Sequence, residues 1–246
     1  MKFSAISCDV LYRELCHLAA GSPHRVDLCF LPKGLHDLRA TEMRDRLQAK
    51  VDELDGGGYD AILLGYGLCN NGLHGIASRT VPLVLPRAHD CMTLFFGSRE
   101  RYLDYFWKNP GVYFKTSGWI ERGEPEGELR QASIGHLHGM DKSFEEMVAE
   151  YGEDNALYLY ETLVESQVKA YRQFTFIEMG VEPDDRFERA TREQARDQGW
   201  AFEKVRGSLT LLERLVNGDW DAKDFLVVEP GRRIVARYDE GVVASG

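Results

Sequence analysis

The residues of this chain best equipped for chemistry are cysteines, and three of the five fall into a pattern. Cys8 ends the apolar run Phe3–Cys8, Cys69 follows the run Ala61–Leu64, and Cys91 follows Val81–Leu85. If each run is a strand, three strand ends carry three thiols. Three thiolates leave a coordination position open, as catalytic metal sites do, and they suit zinc and iron–sulfur clusters alike. The spacing contains no CxxC pair, so it does not name the metal. His74, His89 or Glu178 could supply a fourth ligand. A competing reading makes Cys91 a nucleophile with His89 as its base, although residues two apart rarely point together. A third treats the cysteines as small buried apolar side chains. That third reading is the one taken for Cys16, placed within a helix, and for Cys29, placed mid-strand.

Asp90 is a good helix cap, which puts Cys91 in a first helical turn where thiolate is favoured over thiol. Arg87 and His89 push the same way, and Asp90 opposes them. Glu178, at a later strand end, and His89 are the candidate catalytic groups. The glycines of GYGLCNNG let backbone approach a bound group, so Gly65, Gly67 and Asn70 are candidate cofactor contacts. Asn70 stands where a dinucleotide fingerprint needs its third glycine, and the match is poor. Arg87, His89, Ser98 (within FFGSRERY) and backbone N–H groups could hold an anion in a metal-free binding protein. His136 and His138 resemble a metal pair, but solvated loop histidines are commoner. His17, His24 and His36 read as surface or loop residues.

Strands alternating with helices must position these groups. Phe3–Cys8, Val26–Leu31, Ala61–Leu64, Val81–Leu85, Val112–Lys115, Phe174–Ile177, Ala201–Val205 and Phe225–Val228 read as strands. Val10–Ala20, a Thr41-capped segment carrying Met43, Leu47, Val51 and Leu54, a Ser98-capped segment through Trp107, Ser143–Tyr151, Asn155–Ala170, Arg186–Gln198 and Ser208–Val216 read as helices, with a short helical piece before Ser78. Residues 118–139 read as a long surface loop. Continuous apolar strands imply an α/β fold with mostly parallel sheet flanked by helices. The chain 1–246 is then one α/β unit, either two Rossmann-like lobes (1–117 and 171–246) joined through 118–170 or one doubly wound sheet with a helical insertion. In such sheets ligands bind outside the carboxyl ends of the strands, where the three thiols lie.

Composition narrows the classes. A net charge of -10 with scattered Lys and Arg argues against nucleic acid as a partner. No apolar run approaches the roughly 18–20 residues of a membrane span, and the N-terminus is not a secretory signal. An odd five cysteines fit a reducing, cytoplasmic setting. A small-molecule substrate is the expected partner. Self-association has only the aromatic segment Tyr102–Trp107 in its favour.

The strings LLGYGLCNNGLHG, PRAHDCMTLFFGSRERY and YFKTSGWIE, within residues 3–230, resemble the bacterial and archaeal domain-of-unknown-function family sixteen-thirty-eight. The resemblance implies no settled activity. It implies a setting in anaerobic one-carbon and corrinoid methyl metabolism, hence metal, cluster or cobalamin chemistry and a corrinoid protein as partner, with no role for any residue here. The expected function is therefore a metal- or iron–sulfur-binding protein, or enzyme of thiol or methyl transfer, built on Cys8, Cys69 and Cys91. The alternative is a metal-free binder of a small anionic or corrinoid-type ligand.

Overall fold

The computed structural model describes residues 1–137, 142–159 and 171–246. Its first sheet combines β1 (Lys2–Cys8), β2 (Arg25–Leu31), β3 (Ala61–Gly65), β4 (Leu83–Pro86) and β8 (Phe225–Val228), in the order β2-β1-β3-β4-β8. The first four strands are mutually parallel, and β8 pairs antiparallel with β4. Alternate residues feed two cores, as the pleat requires. Ala5, Leu63 and Val84 face one side, and Ile6, Ile62, Leu64 and Leu83 the other. The second side is covered by α2 (Ala40–Leu54), which buries Met43, Leu47 and Val51 at helical spacing. The first is covered by α1 (Tyr12–Gly21), α3 (Cys91–Phe96) and α11 (Thr210–Asn217).

A second, all-parallel sheet holds β5 (Val112–Lys115), β6 (Gln173–Glu178) and β7 (Ala201–Arg206), in that order. The strands thus divide between two sheets and do not form one doubly wound sheet. Phe95 and Phe96 of α3 share a core with Ile177 and Met179, which ties the sheets together. The α/β class with mostly parallel sheets is as expected.

Several local expectations need correction. Residues 118–137 are helical where a loop was expected: α5 (Ser117–Glu121), α6 (Gly127–Ala132) and α7 (Ile134–Leu137). Their polar, glycine-containing sequence hides short helices, of which α5 is capped by the Thr116 hydroxyl accepting from the Trp119 amide at 3.2 Å. Thr41 lies inside α2, where Arg39 takes the cap position without a side-chain bond. The stretch before Ser78 is turn, and β9 (Ile234–Ala236) and β10 (Val243–Ser245) form a short hairpin that three-residue runs did not reveal. The helix α8 (Phe144–Tyr151) has the Ser143–Glu146 capping box, and α9 (Glu153–Leu159) follows. Tyr160, Val164 and Val168 lie outside the described residues.

Glu14 on α1 is fully buried, and neither carboxyl oxygen has a hydrogen-bond partner. Burial raises its pKa from 4.5 to about 7, and Glu182 adds to the effect. The native state therefore holds this proton better than the unfolded chain. That stabilisation is complete below about pH 4.5 and is lost as pH rises through 7. Glu14→Met, apolar and of similar volume, should raise stability at pH 8 by roughly 1–3 kcal/mol and change little at pH 5. Urea titrations at the two pH values measure this.

Candidate functional site

The chain runs from β1 to β2 on one side, then crosses to β3 on the other, so strand order reverses between β1 and β3. At such a switch the loops part and leave a crevice at the carboxyl ends. Cys8 is the last residue of β1, Cys69 follows β3, and Cys91 opens α3 after β4.

Backbone bonds carry the pairing of β3 with β4 past the strand ends. The Leu68 amide donates to the Ala88 carbonyl at 2.8 Å, and the Cys69 amide to the His89 carbonyl at 2.9 Å. Gly67 permits this approach, because a Cβ there would stand 2.6 Å from the Asp90 backbone. Cys69, Asn70 and Asn71 then take left-handed conformations in succession, with φ of 41°, 53° and 60°. Each such non-glycine residue costs on the order of 1–2 kcal/mol. The Gly72 amide closes the turn onto the Cys69 carbonyl at 2.9 Å, and Asn70 Nδ2 donates to the Leu38 carbonyl at 3.1 Å. The cost fixes Cys69 across from Cys8 and Cys91.

The three cysteines line one cavity of about 430 Å³, in the range of small-molecule sites. Met43, Leu35 and Met92 give it an apolar wall, Asn70 and His89 also line it, and Trp119 reaches it from α5. Two buried donors meet no acceptor there: the Tyr66 hydroxyl and the Trp119 indole N–H. The indole is nonetheless close enough to Cys91 to favour its thiolate, though not at hydrogen-bonding geometry. Lys33 is 5% exposed, and its ammonium lies 4.7 Å above the Trp119 ring. His36 meets the edge of the same ring at 5.2 Å and pairs through Nε2 with Asp37 at 3.0 Å.

Burial pushes the Cys8 and Cys69 thiols up to about 12, and the Cys91 thiol well above its ordinary value. After burial, Cys69 responds to Cys8 and Asp90, and Cys91 responds to Cys69, Asp90 and Cys8. The thiols sense one another's charge. This corrects the expectation of a Cys91 thiolate favoured by its helix. Asp90 does cap α3, accepting from the Met92 and Thr93 amides at 3.0 and 3.3 Å, but six residues of helix do not offset burial beside other acids. At about 12 against an ordinary 9, Cys8 and Cys69 carry roughly a thousandfold less thiolate near neutral pH. Iodoacetamide at pH 8 should therefore label them at least about a hundredfold more slowly in the native, ligand-free protein than in urea, as read by peptide mass spectrometry.

The other candidates divide. Gly65, Asn70 and His89 line the cavity, with His89 at its exposed rim. Gly65 also makes room for the Ser7 hydroxyl, which would lie 2.5 Å from a Cβ. Gly67 supports the site from behind. Arg87 does not face the cavity: its guanidinium binds the carbonyls of Ala222 at 3.0 Å, Phe225 at 3.2 Å and Gly241 at 2.9 Å, clamping the C-terminal segments. Ser98 accepts from the Arg101 amide at 3.1 Å and simply caps α4 (Arg99–Lys108). Glu178 is at the second sheet, paired with Lys204 at 3.2 Å, and lines a separate cleft. His74 accepts from the Ala236 amide at 3.1 Å. His136 borders a neighbouring cleft with His36, and His138 lies outside the described residues.

Sequence reasoning missed Lys33 and Trp119 as site residues, gave Tyr66 no role beyond its strand-end position, and read His36 as a surface or loop residue. Lys33 stands two residues past the end of β2, but its place in the cavity comes from packing against Trp119. Trp119 carried no such signal. Among the described residues, no three His, Cys, Asp or Glu side chains are placed to hold one metal ion, and no helix is long and apolar enough to cross a membrane.

A family model described as "Protein of unknown function (DUF1638)" matches residues 30–216. No curated protein and no solved structure matches the chain.

Proposed function

The chain belongs to the DUF1638 family of proteins of unknown function, and from that premise, which carries no activity, we propose that Cys8, Cys69 and Cys91 hold an iron–sulfur cluster. The observation that carries the reading is three thiols from three strand ends lining one cavity at the switch point. Zinc asks its ligands to converge on one ion. A [4Fe–4S] cluster takes each cysteine on a different iron, which suits thiols that share a cavity without converging. The unpartnered Tyr66 hydroxyl and Trp119 N–H add donors suited to sulfur acceptors, a known lever on cluster properties.

When bound, such a group supplies an open iron position for small-molecule activation or thiol or methyl transfer. The protein's own part is to deprotonate and bind. Loading must release the protons that burial holds on the three thiols, so affinity rises with pH. Met43, Leu35 and Met92 limit water, and His89 at the rim is placed to exchange a proton with a substrate. The setting of the reading is cytoplasmic, and a corrinoid protein is the partner to assay as methyl donor. Of the side chains expected to serve a metal-free anion binder, Arg87 and Ser98 are engaged elsewhere and His89 lines the cavity.

Anaerobic purification with iron, acid-labile sulfide and zinc assays tests the proposal. Iron and sulfide in equal amounts, with visible absorption bleached by dithionite, are expected. Zinc alone, or neither metal after anaerobic reconstitution, overturns it.

A further inference from the structure

The cavity that holds the thiols also holds a charge that, among the described residues, no close counter-charge neutralises. Lys33 is 5% exposed, and its nearest carboxylate is Glu124, 3.9 Å away on a side chain that is 92% exposed. A water-facing partner at that distance offers little, while a buried cation without a close counter-charge is costly. The other nearby acids are engaged. Asp9 accepts from the Lys33 amide at 2.8 Å and faces Arg122, Asp37 pairs with His36, and Asp90 caps α3 while accepting from the Tyr102 hydroxyl. The ammonium itself lies over the face of the Trp119 ring, and Lys33 lines the cavity wall.

Tyr66 lines the same cavity, is 3% exposed, and has a hydroxyl with no partner. An ammonium and a buried hydroxyl are both donors. Together they ask for an acceptor that carries negative charge. One ammonium balances a monoanion. A phosphate dianion would add uncompensated charge beside Asp9 and Asp90.

We propose that the cavity binds a small monocarboxylate, its carboxylate taken by Lys33 Nζ and the Tyr66 hydroxyl and its remainder directed along the apolar wall toward the thiols. This rests on the cluster reading only for what happens next to the ligand. Carboxylate binding itself belongs to the protein and is measured without iron.

The test is calorimetric titration of the full chain, iron-free and iron-loaded, with acetate, propionate, acetamide and inorganic phosphate. The carboxylates should bind saturably at one site in both forms. Acetamide, equal in shape but neutral, should bind at least about tenfold more weakly, the scale of a charged hydrogen bond. Lys33→Met, which keeps an unbranched apolar chain but removes the charge, should lose about 10- to 100-fold in carboxylate affinity with iron content unchanged, and Tyr66→Phe should lose about threefold or more. Equal binding of acetate and acetamide to the unaltered protein overturns the proposal whether or not the variants fold. So does no saturable carboxylate binding, tighter binding of phosphate, or a Lys33→Met variant that loses iron but keeps carboxylate affinity. Carboxylate binding in a protein that never takes up iron would sink the cluster reading and leave this one standing.

Discussion

Gly118→Ala should destabilise the protein by about 3 kcal/mol or more, lowering its melting temperature by roughly 6–12 °C. A Cβ at Gly118 would stand 1.8 Å from the Val10 carbonyl oxygen and 2.7 Å from its carbon. Both are backbone atoms of the turn that follows β1, so no flexible side chain can yield. Something has to move, and the movable part is α5. Trp119 rides on that helix next to Gly118, so displacing α5 takes the indole from its place beside Cys91. The variant should therefore also lose the ligand-free shielding of Cys91 from alkylation. Gly135→Ala is the control: nothing lies within 4 Å of its Cβ position. It should be neutral or stabilising by up to about 1 kcal/mol. Differential scanning calorimetry of both variants decides the matter, and equal melting temperatures would remove Gly118 as the hinge point of the site.

The second large effect is on cofactor content. Cys69→Ser should lower iron per chain in anaerobically prepared protein by at least about tenfold, and Cys8→Ser and Cys91→Ser should do the same. Serine keeps the shape and polar character of the side chain, and the left-handed backbone at Cys69 is set by the loop bonds and by Gly67 packed on Asp90. Loss of metal would then reflect loss of the sulfur. Cys16→Ser and Cys29→Ser should retain full iron, since neither side chain lines the cavity. Iron retained in all three site variants would count against the cluster.

Much of the scaffold was legible because its signals are local. β3 is an uninterrupted apolar run, α10 (Arg186–Gln198) ends at a left-handed Gly199, and Ser143 and Glu146 spell a capping box. The three thiols were legible for a different reason. A parallel sheet puts every carboxyl end on one edge, so residues far apart in sequence could be grouped by topology alone. Arg87, Ser98 and Glu178 satisfied the same rule and still fell elsewhere. Adjacency to a strand end does not fix the direction of a side chain, and backbone carbonyls, an exposed helix N-terminus and Lys204 claimed these three. Trp119 and Lys33 depend on α5 packing over the turn after β1 and beside Pro32, a tertiary contact without periodic signature. The Cys91 pKa went astray because helix polarity is visible in sequence and burial beside two other thiols is not.

The antiparallel strand β8 has a consequence for how the protein is made. Val84 pairs with Val227, more than half the chain away, and Arg87 is clamped by carbonyls from residues 222–241. During folding the β4 edge of the first sheet stays open until β8 docks on it. Closing so long a loop is slow in folding and late in time. The loops after β3 and β4 that carry Cys69 and Cys91 follow this edge, so they set late in folding, and their thiols stay open to oxidation until β8 docks.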